Sequence, residues 1–300
     1  MKFLVTGGLG FIGSHLTQYL VNRGDSVVVI DNQTTGKTDN IQNIFNKIEY
    51  INGDIRDYDL LQKSVKDIDG IFHLAALASV QQSFNEIDKY TDVNVNGTEN
   101  ILKLASELKI KVVHASSSSV YGVHEQMPHN ENDEMKPINP YAQSKLDAEK
   151  IIEKYVKIGL NVIGLRYFNV FGERQSKEYA GVIKLFLEKI GNKESPLVNG
   201  DGLQTRDFIF VEDIVKATVT AMQKNLESTF INVGTGKATS ILELANTVIK
   251  ISGLNLEPVH KQALSGEAPE TFADTTRIEK LLGFKPESKL DDWLKTKISS

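Results

Sequence analysis

Over the first 170 residues, short apolar runs alternate with longer stretches in which apolar positions recur every three or four residues. The runs are "KFLVTG" (2–7), "DSVVVID" (25–31), "IEYINGD" (48–54), "GIFHLAA" (70–76), "KVVHASS" (111–117) and "LNVIGLRYFNV" (160–170). They are near-continuously apolar rather than alternating, as strands buried on both faces of a parallel sheet are. Between them, 11–22, 94–108 and 139–159 read as amphipathic helices. Strand–helix alternation predicts an α/β fold built on a Rossmann-type, doubly wound parallel sheet. After about residue 170 the rhythm loosens, and only "VEDIVKATVTAMQK" and "SILELANTVIKIS" read clearly as helices. No repeat or low-complexity linker divides the chain. The expected organisation is a first domain over 1–170 and a smaller C-terminal α/β domain over 171–300, partly interwoven with it.

Composition adds exclusions. The 300 residues are 40% hydrophobic and 24% charged, which is ordinary for a globular protein. Net charge is -5 and no long basic run occurs, which argues against nucleic acid as a partner. There is no cysteine, so disulfides, thiolate zinc sites and thiol nucleophiles are excluded. The N-terminal apolar run is too short for a signal peptide, and no segment reaches the length of a membrane span. A soluble, cytoplasmic protein without membrane contact is expected. His73 reads as a packed strand-end histidine. His124 and His129 lie in a Pro/Asn-rich loop with no ligand set around them, and no metal is expected. The acidic stretch "ENDEMK" (131–136) reads as a solvated face.

Chemistry first appears in "VTGGLGFIGSHL", where Gly7, Gly10 and Gly13 stand between a predicted strand and a predicted helix. Glycine permits the tight turn and lets backbone approach a pyrophosphate closely, while the helix N-terminus supplies N–H donors and a positive dipole end. In that context the spacing predicts a dinucleotide cradle that includes Phe11 and Ile12. Asp31 ends the second run, 18 residues after Gly13. A carboxylate there accepts from the ribose hydroxyls and repels a 2′-phosphate, so NAD is preferred to NADP. Asn32 follows it. Asp54 and Ile55, at the end of the third run, are expected beside the adenine.

"NPYAQSK" places Tyr141 and Lys145 four residues apart, on one face of a predicted helix. For a tyrosine to act as a base near neutrality its pKa must fall by roughly three units, and a nearby ammonium and a positively charged nicotinamide ring are suitable perturbers. With "HLAA" (73–76), "NVNGT" (94–98), "SSSSVYG" (116–122), "RYFNVFG" (166–172) and "TRDFIFVEDI" (205–214), these motifs make the chain similar, from Met1 to about Asp274, to the extended short-chain dehydrogenases/reductases of the sugar-nucleotide epimerase/dehydratase family. The resemblance implies roles. Tyr141 is the acid/base. Lys145 binds the nicotinamide ribose and lowers the tyrosine pKa. Ser117 supplies the second catalytic hydroxyl, and Ser116 lies nearer the nicotinamide. Leu74, Ala75, Ala76, Asn94 and the backbone at Tyr167 and Phe168 border the cofactor. Asn169 and Arg206 hold the nucleotide diphosphate, Ser79 reaches the sugar side, and Thr271 stands beside the hexose C2. Two helices, at about 90–108 and 140–158, pair between subunits in relatives, so a homodimer is expected; alternatively, their apolar stripes are buried against the sheet.

The resemblance also orders the reactions. The family's 4,6-dehydratases carry Thr-Asp-Glu where this chain has Ser117, Ser118 and Ser119. Serine cannot replace that acid–carboxylate pair, because its pKa lies too far from operating pH. Decarboxylating relatives also keep a carboxylate here. The implied activity is therefore an NAD-dependent 4-epimerisation of UDP-hexoses (UDP-glucose/UDP-galactose, with tolerance of the N-acetylated forms) through a transient 4-keto sugar. Another epimerase, dehydratase or reductase of the family, or a silent NAD-binding sensor, stays open as an alternative. "RYFNVFGERQSKEYAGVI" favours the glucose-type and N-acetylglucosamine-type epimerases. One departure is Leu264, where relatives carry a phosphate-contacting arginine, with His260 and Lys261 as candidate substitutes.

Overall fold

The computed structural model describes residues 1–175, 181–266 and 268–299. The strands in chain order are β1 (Lys2–Thr6), β2 (Ser26–Asp31), β3 (Glu49–Asn52), β4 (Gly70–His73), β5 (Lys111–Ser117), β6 (Val162–Tyr167) and β7 (Asn169–Phe171). They continue with β8 (Leu197–Asn199), β9 (Thr205–Arg206), β10 (Phe208–Phe210), β11 (Thr229–Val233), β12 (Thr239–Ser240), β13 (Val259–Lys261) and β14 (Glu270–Thr271). The helices are α1 (Phe11–Arg23), α2 (Tyr58–Ser64), α3 (Val80–Ser83), α4 (Ile87–Thr91), α5 (Gly97–Leu108) and α6 (Pro140–Lys157). Then follow α7 (Val182–Gly191), α8 (Val211–Gln223), α9 (Ile241–Ser252), α10 (Thr276–Leu282) and α11 (Leu290–Ile298).

The main sheet has the order β11-β6-β5-β4-β1-β2-β3 and every neighbouring pair is parallel. Strand order reverses between β1 and β4, which opens a crevice at their carboxyl ends. Both faces are covered. Leu16 and Leu20 of α1 pack with Ile214 and Val215 of α8 on one face. Leu61, Ile101, Leu102 and Ile152, from α2, α5 and α6, cover the other. Parallel strands buried on two sides explain the unbroken apolar runs.

Two elements depart from the expected pattern. The run over 160–170 is not one strand: β6 stops at Tyr167, and β7 pairs with β10 in a separate two-stranded sheet. The seventh strand, β11, was not apparent in the sequence because Asn232 interrupts its apolar run, and that asparagine is fully buried. Its register with β6 (Thr229 against Ile163) returns the second half of the chain to the first sheet. The second half also has its own core, where Phe171, Phe186, Val198, Phe208, Leu244 and Leu294 pack with Trp293.

Candidate active site

The β1–α1 turn is held by close backbone packing. Gly7 has φ +68°, and a Cβ on it would lie 2.8 Å from the Ala75 Cα; one on Gly13 would lie 2.0 Å from the Gly7 carbonyl oxygen. No side chain fits at either place. The turn forms one wall of a cleft of about 300 Å³. Gly7, Gly10, Phe11, Ile12 and Gly13 line it, together with Asp31, Asn32, Asp54, Ile55, Leu74, Ala75 and Ala76. The first turn of α1 carries no acidic residue, so nothing opposes an anion at that helix N-terminus. Side-chain-free backbone, a helix N-terminus and an acid at the second strand's end together suit a dinucleotide.

Asp31 also braces the cleft. Its carboxylate accepts from the Leu9 N–H at 3.0 Å and the Gln33 N–H at 2.7 Å. Burial pushes its pKa up, and those two bonds oppose the rise. Asp54 is held low, at about 2, chiefly by the Arg56 guanidinium, and Asn32 donates to it at 2.8 Å. Arg56, not anticipated from the sequence, lines the cleft. It bonds Asp54 at 2.8 Å and Asp92 at 2.7 Å, so its charge is already matched and does not invite a 2′-phosphate.

Behind the cleft, His73 is fixed in one tautomer. Thr6 Oγ1 accepts from the Leu74 and Ala75 N–H groups, so its own hydroxyl donates to His73 Nδ1 at 2.7 Å. Thr98 Oγ1 donates to the Asn94 carbonyl and therefore accepts from His73 Nε2–H at 2.9 Å. Burial drives the His73 pKa down to about 3, which keeps the ring neutral. Its neighbour His114 is also buried and held neutral, with both ring nitrogens unpartnered among the described residues. His73 is the packed strand-end residue expected, and it ties the backbone of 74–75 to α5. Asn94 lies in a π-helical turn (Asp92–Asn96) and is 2% exposed. Its amide bonds the Leu77 N–H and carbonyl and the Ser144 hydroxyl. It thus shapes the cleft wall rather than presenting its side chain there.

Tyr141 and Lys145 enter on α6, whose N-cap Asn139 accepts from the Ala142 N–H at 2.8 Å. Pro140 occupies the first turn, where its missing N–H costs nothing. Tyr141, Lys145 and Glu149 repeat at four-residue spacing along one helix face. The buried Lys145 ammonium donates to the Ala115 carbonyl at 2.9 Å. Burial lowers its pKa to about 8, against the pull of the Glu149 carboxylate. Burial raises the Tyr141 pKa, and a hydrogen bond from Ser117 lowers it. Ser117 thus joins the perturbers expected of the phenol, and Lys145 is fixed by the Ala115 carbonyl.

The four serines have separate fates. Ser116 and Ser117 meet different residues of the same α6 face, Glu149 and Tyr141. Ser117 Oγ accepts from the Ser119 N–H at 3.2 Å and the Ser119 hydroxyl at 2.9 Å. Its own proton is left for Tyr141. The Ser116 hydroxyl was expected near the nicotinamide but donates to Glu149 at 2.5 Å. Glu149 also pairs with Arg166 at 2.7 Å, both being under 5% exposed. Arg166 continues to Tyr121, which donates to Asn232 at 2.5 Å. Glu131, expected in a solvated acidic face, belongs to this buried network. It accepts from the Asn232 N–H at 2.9 Å and meets Arg277 at 3.5 Å. His129 stacks on Tyr121 at 4.6 Å, and among the described residues no cluster of three metal-ligating side chains occurs.

On the substrate side, β12, β9 and β14 form a small sheet in which Thr239, Arg206 and Thr271 stand in register, on one face. The Thr271 hydroxyl is buried without a partner among the described residues. Arg206 donates to the Thr205 and Ala268 carbonyls at 2.8 and 2.9 Å. Asn169 is exposed, and Ser79 caps α3 by accepting from the Gln82 N–H. The Tyr167 side chain turns away to Thr218 at 2.7 Å. Leu264 is 44% exposed, and His260 and Lys261 are exposed on β13. Residues 176–180 of the "RYFNVFGERQSKEYAGVI" stretch lie outside the described residues. Besides Arg56, the sequence reading missed Thr34, Thr35, Lys89 and Gln175 in the cleft wall. They come from loops and a short helix whose positions no periodicity encodes.

A relative from Methanocaldococcus jannaschii is 40% identical over 297 residues, covering 97% of this chain and 95% of its own, and carries the provisional name of a UDP-glucose 4-epimerase. The UDP-N-acetyl-alpha-D-glucosaminuronate decarboxylase of Bacillus cytotoxicus is 35% identical and covers 99% of this chain and 96% of its own. Among solved structures, the UDP-N-acetylglucosamine 4-epimerase of Methanobrevibacter ruminantium, in complex with UDP-N-acetylmuramic acid, superposes with a TM-score of 0.94 at 36% identity, over 99% of this chain and 97% of its own. The model of the NAD dependent epimerase/dehydratase family matches residues 3–234, and with these relatives it establishes that the chain belongs to that family.

Proposed function

We propose that the protein is a UDP-hexose 4-epimerase that uses NAD. The observation that carries this reading is a strand end beside Tyr141 in which Ser117 is held by Ser119 and residues 116–119 hold no carboxylate. Two hydroxyls suffice to deprotonate and reprotonate a carbinol. Expelling a hydroxyl needs an acid of suitable pKa as well. Bound in the cleft, NAD supplies a hydride acceptor and then a hydride donor, with no net redox change. Tyr141 takes the C4 hydroxyl proton and later returns it. When the sugar is bound, the single Ser117 O–H turns from the phenol to the same oxygen and holds it against Tyr141. Lys145, fixed by the Ala115 carbonyl, keeps a positive charge beside the ribose. The Thr271 hydroxyl, unpartnered among the described residues and in register with Arg206, supports a sugar bound over that face of the sheet.

Purified protein incubated separately with UDP-galactose and UDP-N-acetylgalactosamine, followed by NMR, is expected to invert C4 of the first and to accept the second. Failure to invert any UDP-hexose overturns the reading. The homodimer rests on the resemblance alone, since the apolar stripes of α5 and α6 face the sheet through Ile101, Leu102 and Ile152.

A further inference from the structure

A turn of the second half of the chain is held at Ser265 and Gly266 by two separate elements of the molecule, and Ala268 is held by a third. The Ser265 carbonyl accepts from Gln81 at 3.3 Å, the Gly266 carbonyl from Asn139 Nδ2 at 3.0 Å, and the Ala268 carbonyl from Arg206 at 2.9 Å. Gly266 has φ +78°, and a Cβ there would lie 2.7 Å from Phe84 Cζ, so the turn sits against that ring as well. Asn139 is 9% exposed and acts with both ends of its amide. Its oxygen caps α6 through the Ala142 N–H, and its nitrogen holds Gly266. Capping alone needs only an oxygen, which Ser, Thr or Asp would supply. The nitrogen has work only on the turn, and Tyr141 lies one residue beyond Pro140 on the same helix.

We propose that Asn139 is a positioning residue that docks the 264–266 turn onto the N-terminus of the Tyr141 helix. The closed sugar side and the acid/base are thereby set by one amide. The consequence for the reaction rests on the epimerase reading above. With the turn undocked, the sugar loses its C4 hydride to NAD and its hydroxyl proton to Tyr141. The 4-keto sugar then leaves before hydride returns. The protein is left holding NADH, one equivalent for each molecule of keto sugar released.

Asn139→Asp and Asn139→Ser keep an oxygen cap and remove the donor. Both are expected to unfold at temperatures near that of the wild type. In both, kcat/KM for the UDP-hexose is expected to fall by about fivefold or more, the effect of losing one buried hydrogen bond. Reduced-nicotinamide fluorescence should build up during turnover. Gly266→Ala displaces the turn by its clash with Phe84 while keeping the Asn139 oxygen on the Ala142 N–H, and is expected to give the same phenotype. Limited trypsin cleavage after the exposed Lys261 without substrate tests the docking independently of catalysis, and faster cleavage there in the variants is the expected result. Cleavage at the wild-type rate overturns the docking whether or not the protein epimerises anything. Wild-type kinetics without NADH accumulation, in a protein that does epimerise, overturns its role in the reaction. Failure of the wild type on every UDP-hexose would instead count against the proposed function.

Discussion

Ser116 and Ser117 show how much a single strand position decides. Ser117 accepts twice from Ser119 and has one proton to give, whereas Ser116 gives its proton to a carboxylate already paired with Arg166. Ser117→Ala is therefore expected to lower kcat by about a hundredfold, the scale for removing one oriented donor from a reacting oxygen. Ser116→Ala should leave kcat near wild type and lower stability by about 1–2 kcal/mol, because Glu149 loses one buried donor. Steady-state kinetics and urea unfolding of the two variants measure both effects, and equal kinetic losses would contradict the assignment. Tyr141→Phe should lower kcat by about a hundredfold or more while NAD still binds. Full activity in that variant would remove Tyr141 as the acid/base. The tyrosine–lysine spacing was plain in the sequence. The source of the phenol's hydrogen bond was not, since it depends on which of the serines reaches Tyr141 and which reaches Glu149.

At the scale of elements, the β1–α1 turn works by exclusion. Gly13 stands so close to the Gly7 carbonyl that the 2.0 Å separation of an added Cβ can be relieved only by moving backbone. Gly13→Ala is expected to cost roughly 1–3 kcal/mol of stability, as overpacking does, and to weaken NAD binding more than sugar binding. Thermal unfolding and cofactor titration check this, and unchanged NAD affinity would detach Gly13 from the cradle. The glycine spacing predicted that turn correctly because backbone geometry demands glycine locally. The π-helical turn around Asn94 had no such signature. It forms where Asn94 finds Leu77 and Ser144, partners remote in the chain.

For the whole molecule, the buried histidines set the acid limit. Burial holds His73 at about 3 and His129 at about 4, and His114 well below its usual value. Their folded pKa values lie below the unfolded value near 6.5, so the unfolded chain binds more protons as pH falls below that point. Stability is then lost on acidification from about pH 6.5 towards 4, at about 1.4 kcal/mol per pH unit for each histidine that stays neutral when folded. Urea unfolding across that range should show the slope, and His114→Leu should make it shallower. An unchanged slope would mean that His114 is charged in the folded protein. Of these rings His129 lies where the two halves of the chain meet, its carbonyl accepting from Asn232.

The sequence by itself determined the doubly wound sheet, the glycine cradle, the acid at the second strand's end and the Tyr141/Lys145 pair. Each depends on local geometry or on a period that neighbours in the chain can express. Tertiary structure alone decided that β11 joins the first sheet, that Glu131 is buried, that Arg56 lines the cleft with its charge already matched, and that Asn139 reaches Gly266. In each of these a polar group is satisfied by a partner far away in the chain. Polarity in sequence cannot distinguish a group facing water from one facing such a partner, and burial makes the pairing obligatory.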